Sequence, residues 1–125
     1  MHNKEKPILI IDDDSRNIFA LELTLKARKF NYLSCNTAAE GLQILRTDKA
    51  IGLVLMDMMM AEMDGYETIR IIRATDEYPD VPIIAVTANA MSGDREKCLQ
   101  AGANGYISKP INVDQLLDMI EKWYR

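Results

Sequence analysis

The chain has 125 residues, with 15 Lys and Arg against 19 Asp and Glu, which gives a formal charge of −4. This length predicts one domain, and the 48% hydrophobic and 27% charged residues are typical of a folded globular protein rather than a disordered one. The acidic balance argues against general binding to nucleic acid or to anionic membranes, because both favour a basic surface.

The first six residues form a polar N-terminal tail, and we expect the domain itself to span residues 7–125. The tail lacks the apolar stretch of a signal peptide, and no apolar run approaches the roughly 20 residues that cross a bilayer. We therefore expect a cytoplasmic domain that makes no membrane contact. The only histidine, His2, lies in this tail, which argues against a histidine-based triad or metal site.

Five short segments have the composition of β-strands. Three are apolar runs, too short for a typical helix, and such runs are typical of strands buried on both faces of a parallel sheet. The other two have a weaker pattern. In chain order, the predicted strands are Ile8–Ile11, Asn31–Cys35, Leu53–Met56, Val81–Val86 and Gly105–Ser108.

Helical patterns separate these strands. Asp14 or Ser15, Thr37 and Asn112 are favourable N-caps, and Gly102 is a natural helix stop. Five alternations of strand and helix predict an α/β domain with a mainly parallel sheet and right-handed crossovers. The predicted helices are Arg16–Lys29, Ala38–Arg46, Tyr66–Ala74, Asp94–Ala101 and Val113–Trp123.

Chemically reactive residues follow four of the strands. Asp12 and Asp13 follow the first, Asp57 the third, Thr87 the fourth and Lys109 the fifth. Each alone has a structural explanation, such as a helix cap, an interaction with a helix dipole or a solvated charge. Ligands of open α/β sheets bind outside the carboxyl ends of the strands, so the coincidence of all five residues at one edge indicates a site.

The three aspartates share a crevice if the first and third strands are neighbours. Two carboxylates about 4 Å apart repel by about 4 kcal/mol at an effective dielectric of 20. Raised pKa values, a cation or the ammonium of Lys109 would offset that repulsion. All-oxygen ligands favour a hard cation such as Mg²⁺, and Mg²⁺ beside a lysine and a hydroxyl suits a phosphoryl group.

With these residues identified, the chain resembles a response-regulator receiver domain from Pro7 to about Tyr124. The amino-acid sequences of two segments, Thr87–Ala90 and Ser108–Ile111, are most similar to those of receivers in hybrid sensor histidine kinases. Each motif alone is weak, but their order and spacing together are highly specific. The matching segments are Ile8–Asp14, Leu55–Met58 with Met63–Gly65, Ile84–Ala90 and Tyr106–Pro110.

The resemblance implies a flavodoxin-like (βα)5 three-layer sandwich with a parallel five-stranded sheet of order 2-1-3-4-5. It implies that Asp57 is the phosphoacceptor and that Asp12 and Asp13 hold Mg²⁺, with Mn²⁺ as an alternative ion. The backbone carbonyl of Met59 would be a further ligand. Lys109 would pair first with the acceptor carboxylate and then with the phosphoryl group.

The resemblance also implies a conformational switch. Thr87 would move toward the phosphoryl group, and Tyr106 would turn inward with it. Met59 and Asn89 occupy positions that tune phosphoryl lifetime in the family. The cis form is expected for the bond between Lys109 and Pro110. One departure is Ala61, which stands where receivers commonly carry a proline, and this puts the rigidity of its loop in question.

The function implied is that of a two-component phosphorelay receiver, which takes a phosphoryl group from a phosphohistidine of a histidine kinase or histidine phosphotransfer domain. Such a domain phosphorylates and dephosphorylates itself rather than turning over a substrate. We expect no direct contact with nucleic acid, and a monomer or a weak phosphorylation-dependent dimer.

Three alternatives stay open. A Mg²⁺-dependent phosphohydrolase also uses a strand-end aspartate, but the haloacid-dehalogenase type needs a second aspartate where this chain has Met59. A flavin-binding flavodoxin-like module needs a phosphate loop after Ile11, where this chain has three acids. A receiver used only for docking, without phosphorylation, is the third alternative.

Overall fold

A computed structural model describes residues 5–61, 63–88 and 93–124. Strands and helices alternate along the chain as the sequence predicts. The elements are β1 (Ile8–Ile11), α1 (Ser15–Ala27), β2 (Tyr32–Cys35), α2 (Ala38–Thr47), β3 (Leu53–Asp57), α3 (Gly65–Ala74), β4 (Ile83–Thr87), α4 (Asp94–Ala101), β5 (Gly105–Ser108) and α5 (Val113–Trp123).

The five strands form one sheet of order β2-β1-β3-β4-β5, and every neighbouring pair is parallel. This confirms the flavodoxin-like order that the resemblance implies. β1 and β3 are neighbours, and their register places Ile11 opposite Met56. The residues that follow these two strands therefore emerge side by side at the carboxyl edge of the sheet.

Alternating side chains of the sheet enter two separate cores, because successive residues of a strand point to opposite faces. Ile8 and Ile10 belong to the core that contains buried side chains of α1 and α5. Leu9 and Ile11 belong to the core that contains buried side chains of α2, α3 and α4. The molecule thus has three layers, and burial of each large aliphatic side chain contributes about 1.5–3 kcal/mol.

The first helix begins one residue earlier and ends two residues earlier than predicted. Asp14 is the N-cap, and its side chain accepts a hydrogen bond from the Arg16 backbone N–H at 3.0 Å. At the other end, Arg28 caps the helix and Lys29 adopts a φ of 66°, in the left-handed region that stops a helix. The predictions of Thr37 and Asn112 as N-caps are confirmed by their bonds to backbone N–H groups three residues later.

Some apolar residues within the predicted helical patterns do not reach either core. Phe19 and Leu23 on α1 are 62% and 53% exposed, and Val113 at the start of α5 is 47% exposed. The fourth strand begins at Ile83 rather than Val81, since Pro82 has no N–H for the ladder. No helix within the described ranges is long and apolar enough to cross a membrane.

Candidate functional site

Three carboxylates meet at the carboxyl edge of β1 and β3. Asp12 and Asp13 follow β1, and Asp57 is the last residue of β3. One oxygen of each carboxylate lies within 4.8 Å of the others. Asp12 is 2% exposed and Asp57 is 3% exposed, whereas Asp13 is open to solvent. The convergence predicted from the strand ends is therefore present.

Both oxygens of the Asp12 carboxylate are held by hydrogen bonds from the start of α1. Oδ1 accepts a bond from the Asp14 backbone N–H at 2.8 Å, and Oδ2 accepts one from the side-chain amide of Asn17. Asn17 was not among the site residues predicted from the sequence. Its one sequence signal is a carboxamide in the first turn of the helix that directly follows the acidic run.

The Asp13 carboxylate is held by the loop between β3 and α3. Its Oδ2 accepts a hydrogen bond from the Ala61 backbone N–H at 3.0 Å. A proline at position 61 would have no N–H to donate. The departure from the usual receiver pattern therefore gives this chain a contact between the two acidic segments that proline would remove.

Among the described residues, Lys109 is the only one whose ammonium contacts any of these three carboxylates. Its Nζ lies 3.5 Å from Asp57 Oδ1 and 3.9 Å from Asp12 Oδ2. Asp57 Oδ1 also accepts a bond from the Met59 backbone N–H at 3.0 Å. Lys109 directly follows β5, and its own backbone N–H donates to the Thr87 carbonyl at 2.7 Å. The bond between Lys109 and Pro110 is cis, as the resemblance implies.

The electrostatics of the site favour a bound cation. Burial raises the pKa of Asp57 above its usual range, and the charge of Asp12 raises it further, while the Met59 N–H and Lys109 act in the opposite direction. Among the residues that the structure describes, three carboxylates face one ammonium, so the cluster keeps an excess of negative charge. An all-oxygen donor set of this kind fits Mg²⁺, which prefers carboxylate and water ligands.

The two predicted switch residues lie on adjacent strands beside this cluster. Thr87 is fully buried at the end of β4, opposite Ser108 of β5. Tyr106 is half-buried on β5, opposite Ala85, and packs against the core on the side of α3 and α4. Burial is the main cause that raises the pKa of Tyr106, and the Asp94 carboxylate adds to it.

Of the two positions predicted to tune phosphoryl lifetime, the structure describes Met59 but not Asn89. Met59 follows the acceptor by two residues, and it is 59% exposed. Asn89 lies outside the described residues, so its predicted influence on lifetime stays a prediction. Gly65 belongs to one of the matching segments, but the sequence assigned it no role, and a Cβ there would lie 2.6 Å from Met58 Cα. Only glycine allows α3 to begin this close to the backbone beside Asp57.

Curated relatives of similar length share about a third of the sequence. The polar-differentiation response regulator DivK of Brucella anthropi is 32% identical over 118 residues, which are 94% of this chain and 95% of the relative. DivK of Brucella ovis is 31% identical over the same shares of the two chains.

Solved receiver structures share the fold. The receiver domain of the Pseudomonas aeruginosa sensor histidine kinase PA1611 is 34% identical with a TM-score of 0.85, and the match covers 95% of this chain and 97% of that one. That structure has a magnesium ion coordinated in the active site cleft. The receiver domain of Saccharomyces cerevisiae Ssk1, in complex with the histidine phosphotransfer protein Ypd1, is 26% identical with a TM-score of 0.85. This match covers 96% of this chain and 89% of that one.

The match to a family model covers almost the whole fold. The model of the response regulator receiver domain matches residues 8–121, from the first residue of β1 into α5. The matched range includes all three clustered aspartates and the lysine that contacts two of them. This chain therefore belongs to the response regulator receiver domain family.

Proposed function

We propose that this receiver accepts a phosphoryl group on Asp57 from a phosphohistidine, in a reaction that requires Mg²⁺. The observation that carries the proposal is the cluster of Asp12, Asp13 and Asp57, with the Lys109 ammonium 3.5 Å from the Asp57 carboxylate. In this arrangement Asp57 has a positively charged partner in Lys109 and two further carboxylates close enough to share a cation with it.

The reaction is a displacement at phosphorus. A carboxylate oxygen of Asp57 attacks, a bond between oxygen and phosphorus forms, and the bond from phosphorus to the imidazole nitrogen of the donor breaks. Lys109 stabilises negative charge on the oxygens of the group in transfer. A bound Mg²⁺ would supply further neutralisation of that charge. Asp57 needs no general base, which agrees with the absence of histidine from residues 3–125.

The donor is proposed to be a histidine kinase or a histidine phosphotransfer domain. Support comes from the similar Ssk1 receiver, which was crystallised with the histidine phosphotransfer protein Ypd1. The exposed Phe19 and Leu23 lie on α1, the helix that starts beside the acidic cluster. Their apolar side chains give a protein donor an exposed surface to contact on α1.

The proposed output is a change of surface around α4, β5 and α5. An acyl phosphate carries up to about two negative charges in place of one. Thr87 ends β4 and Lys109 directly follows β5, and the Lys109 backbone N–H donates to the Thr87 carbonyl, so a shift of one residue toward the added charge acts on the other. We propose that Tyr106 reports this change and that Met59 and Asn89 set how long the phosphoryl group persists.

Labelling with a small phosphodonor tests the acceptor. The protein is incubated with acetyl phosphate and Mg²⁺, and the mass increase of one phosphoryl group is measured by intact mass spectrometry. We expect Asp57→Asn to abolish labelling, because an amide nitrogen or carbonyl replaces the nucleophilic carboxylate oxygen. Chelation of Mg²⁺ is expected to have the same effect on the unsubstituted protein.

Asp64→Asn is the matched control, since Asp64 lies in the same loop and caps α3, and asparagine is an equally good cap. This variant is expected to be labelled normally. Labelling of Asp57→Asn at an unchanged level would overturn the assignment. Continuous release of phosphate from a small ester, without a labelled protein, would favour the phosphohydrolase alternative instead.

A further inference from the structure

Asn17 is an uncharged side chain that contacts the acidic cluster, through a hydrogen bond to Asp12 Oδ2. We propose that Asn17 is a positioning residue, whose side-chain amide fixes the Asp12 carboxylate in the orientation that a divalent cation requires. The inference rests on the proposed function only in taking the cluster to bind Mg²⁺, and its test measures that binding directly, without phosphorylation.

The geometry leaves the Asp12 carboxylate one defined orientation. Oδ1 is fixed by the Asp14 backbone N–H at 2.8 Å, and Oδ2 lies between the Asn17 amide and Lys109 Nζ, which is 3.9 Å away. If the hydrogen bond from Asp14 to Oδ1 were the only one, the carboxylate could rotate and move Oδ2 toward or away from Asp57. The bond from Asn17 removes that freedom, because it holds the second oxygen from the side of α1.

The charge of the donor matters as much as its position. Asn17 donates a hydrogen bond without adding a positive charge, whereas Lys109 brings a full charge to the same oxygen. A second cationic side chain would reduce the excess negative charge of the cluster and compete with Mg²⁺ for it. A neutral donor orients the carboxylate and leaves the excess negative charge for the metal ion.

The surroundings of Asn17 tolerate substitution. Asn17 is half-buried, and it lines a cavity of about 250 Å³ between α1 and the segment that follows β5, together with Thr24, Pro110 and Leu116. A side chain of similar size that cannot donate has room on the cavity side. Asn17→Leu is therefore a suitable test of the hydrogen bond, and Asn17→Ala is a smaller second variant.

Isothermal titration calorimetry with MgCl₂ tests the proposal. We expect the dissociation constant of Mg²⁺ to rise about 10-fold in Asn17→Leu and in Asn17→Ala, the lower end of the range for residues that orient metal ligands. Asn17→Lys is expected to weaken binding further, because it adds the competing charge. Thr24→Val is the control, since it changes a polar residue that lines the same cavity but does not contact Asp12.

Melting temperatures with and without Mg²⁺ separate positioning from a purely structural role. A positioning role predicts that the rise in melting temperature on adding Mg²⁺ is smaller in Asn17→Leu than in the unsubstituted protein, because that rise depends on affinity. An equal rise, or an unchanged or tighter dissociation constant, overturns the proposal. If the unsubstituted protein binds Mg²⁺ but acetyl phosphate does not label it, the proposed function fails and the inference about Asn17 stands.

Discussion

At Asp57, burial and ionisation oppose each other. Burial and the neighbouring Asp12 raise the pKa of Asp57, so its ionised form is less stable in the folded protein than in the unfolded chain. A carboxyl group with a raised folded pKa contributes stability below its unfolded pKa, and that contribution is lost as the pH rises through the folded pKa. The site therefore holds a charge that destabilises the metal-free fold at neutral pH.

The same substitution that removes the nucleophile should stabilise the metal-free protein. We expect Asp57→Asn to raise the free energy of unfolding at pH 7 by roughly 1–3 kcal/mol, because it removes a buried charge and the repulsion between that charge and Asp12. The asparagine still offers an oxygen to the Met59 N–H. Urea unfolding in EDTA measures the effect, and the gain should shrink as the pH falls and as Mg²⁺ stabilises the unsubstituted protein.

Asp48→Asn is the control for that measurement, because Asp48 also accepts a hydrogen bond from a backbone N–H but caps the end of α2 before β3 begins, whereas Asp57 ends β3. It should change stability little. A metal-free Asp57→Asn protein that is less stable than the unsubstituted one at pH 7 would show that Lys109 already compensates the cluster.

Individual site residues were predictable where position along a strand decides their location. Asp57 ends β3 and Lys109 directly follows β5, and parallel strands bring their carboxyl ends to one edge. The contacts of Asn17 and Ala61 were not predictable, because they depend on the rotation of a carboxylate and the path of a loop. Neither property has a fixed spacing in the sequence.

At the scale of elements, a buried polar contact joins α3 to α4. The Tyr66 hydroxyl donates a hydrogen bond to Asp94 Oδ1, and Lys97 Nζ lies 4.5 Å from the centre of the Tyr66 ring. Asp94 is 5% exposed, and its Oδ2 has no hydrogen-bond partner among the described residues. Burial, and then the bond to Asp94, raise the pKa of Tyr66.

Removal of this hydroxyl should weaken the fold. Tyr66→Phe leaves the Asp94 carboxylate buried with one donor fewer, and the cost of an unsatisfied buried acceptor is about 1–3 kcal/mol. Urea unfolding at neutral pH gives the change in the free energy of unfolding. Tyr32→Phe removes the same atom from another half-buried tyrosine, on β2, and should cost less. Equal costs for the two variants would mean that the Asp94 contact adds nothing.

Helix and strand boundaries were predictable where a local signal sets them. Thr37 and Asn112 cap their helices as expected, because capping requires only residues a few positions apart. The early end of α1 depends on the left-handed backbone of Lys29, which no glycine marks. The exposure of Phe19 was also not predictable, since helical spacing does not tell which apolar face meets the sheet.

For the whole molecule, the sheet connects the acidic cluster to the surface near Tyr106. The path begins at Asp57 of β3, which is opposite Val86 of β4, and it continues from Thr87 of β4 to Ser108 of β5. Tyr106 lies two residues before Ser108 on the same strand. If Thr87 moves toward a phosphoryl group, the movement therefore takes place directly beside β5, the strand that carries Tyr106.

A change at Tyr106 is the expected sign of switching. Beryllofluoride bound to an aspartate imitates an acyl phosphate, and fluorotyrosine incorporation makes each tyrosine visible by ¹⁹F NMR. We expect the Tyr106 signal, assigned with Tyr106→Phe, to shift when beryllofluoride and Mg²⁺ are added. Asp57→Asn should abolish the shift, and Thr87→Val should reduce it, because the valine cannot donate a hydrogen bond to the bound group. An unchanged Tyr106 signal, in protein shown by ¹⁹F resonances of the bound group to carry beryllofluoride, would mean that the added charge stays local to the acidic cluster.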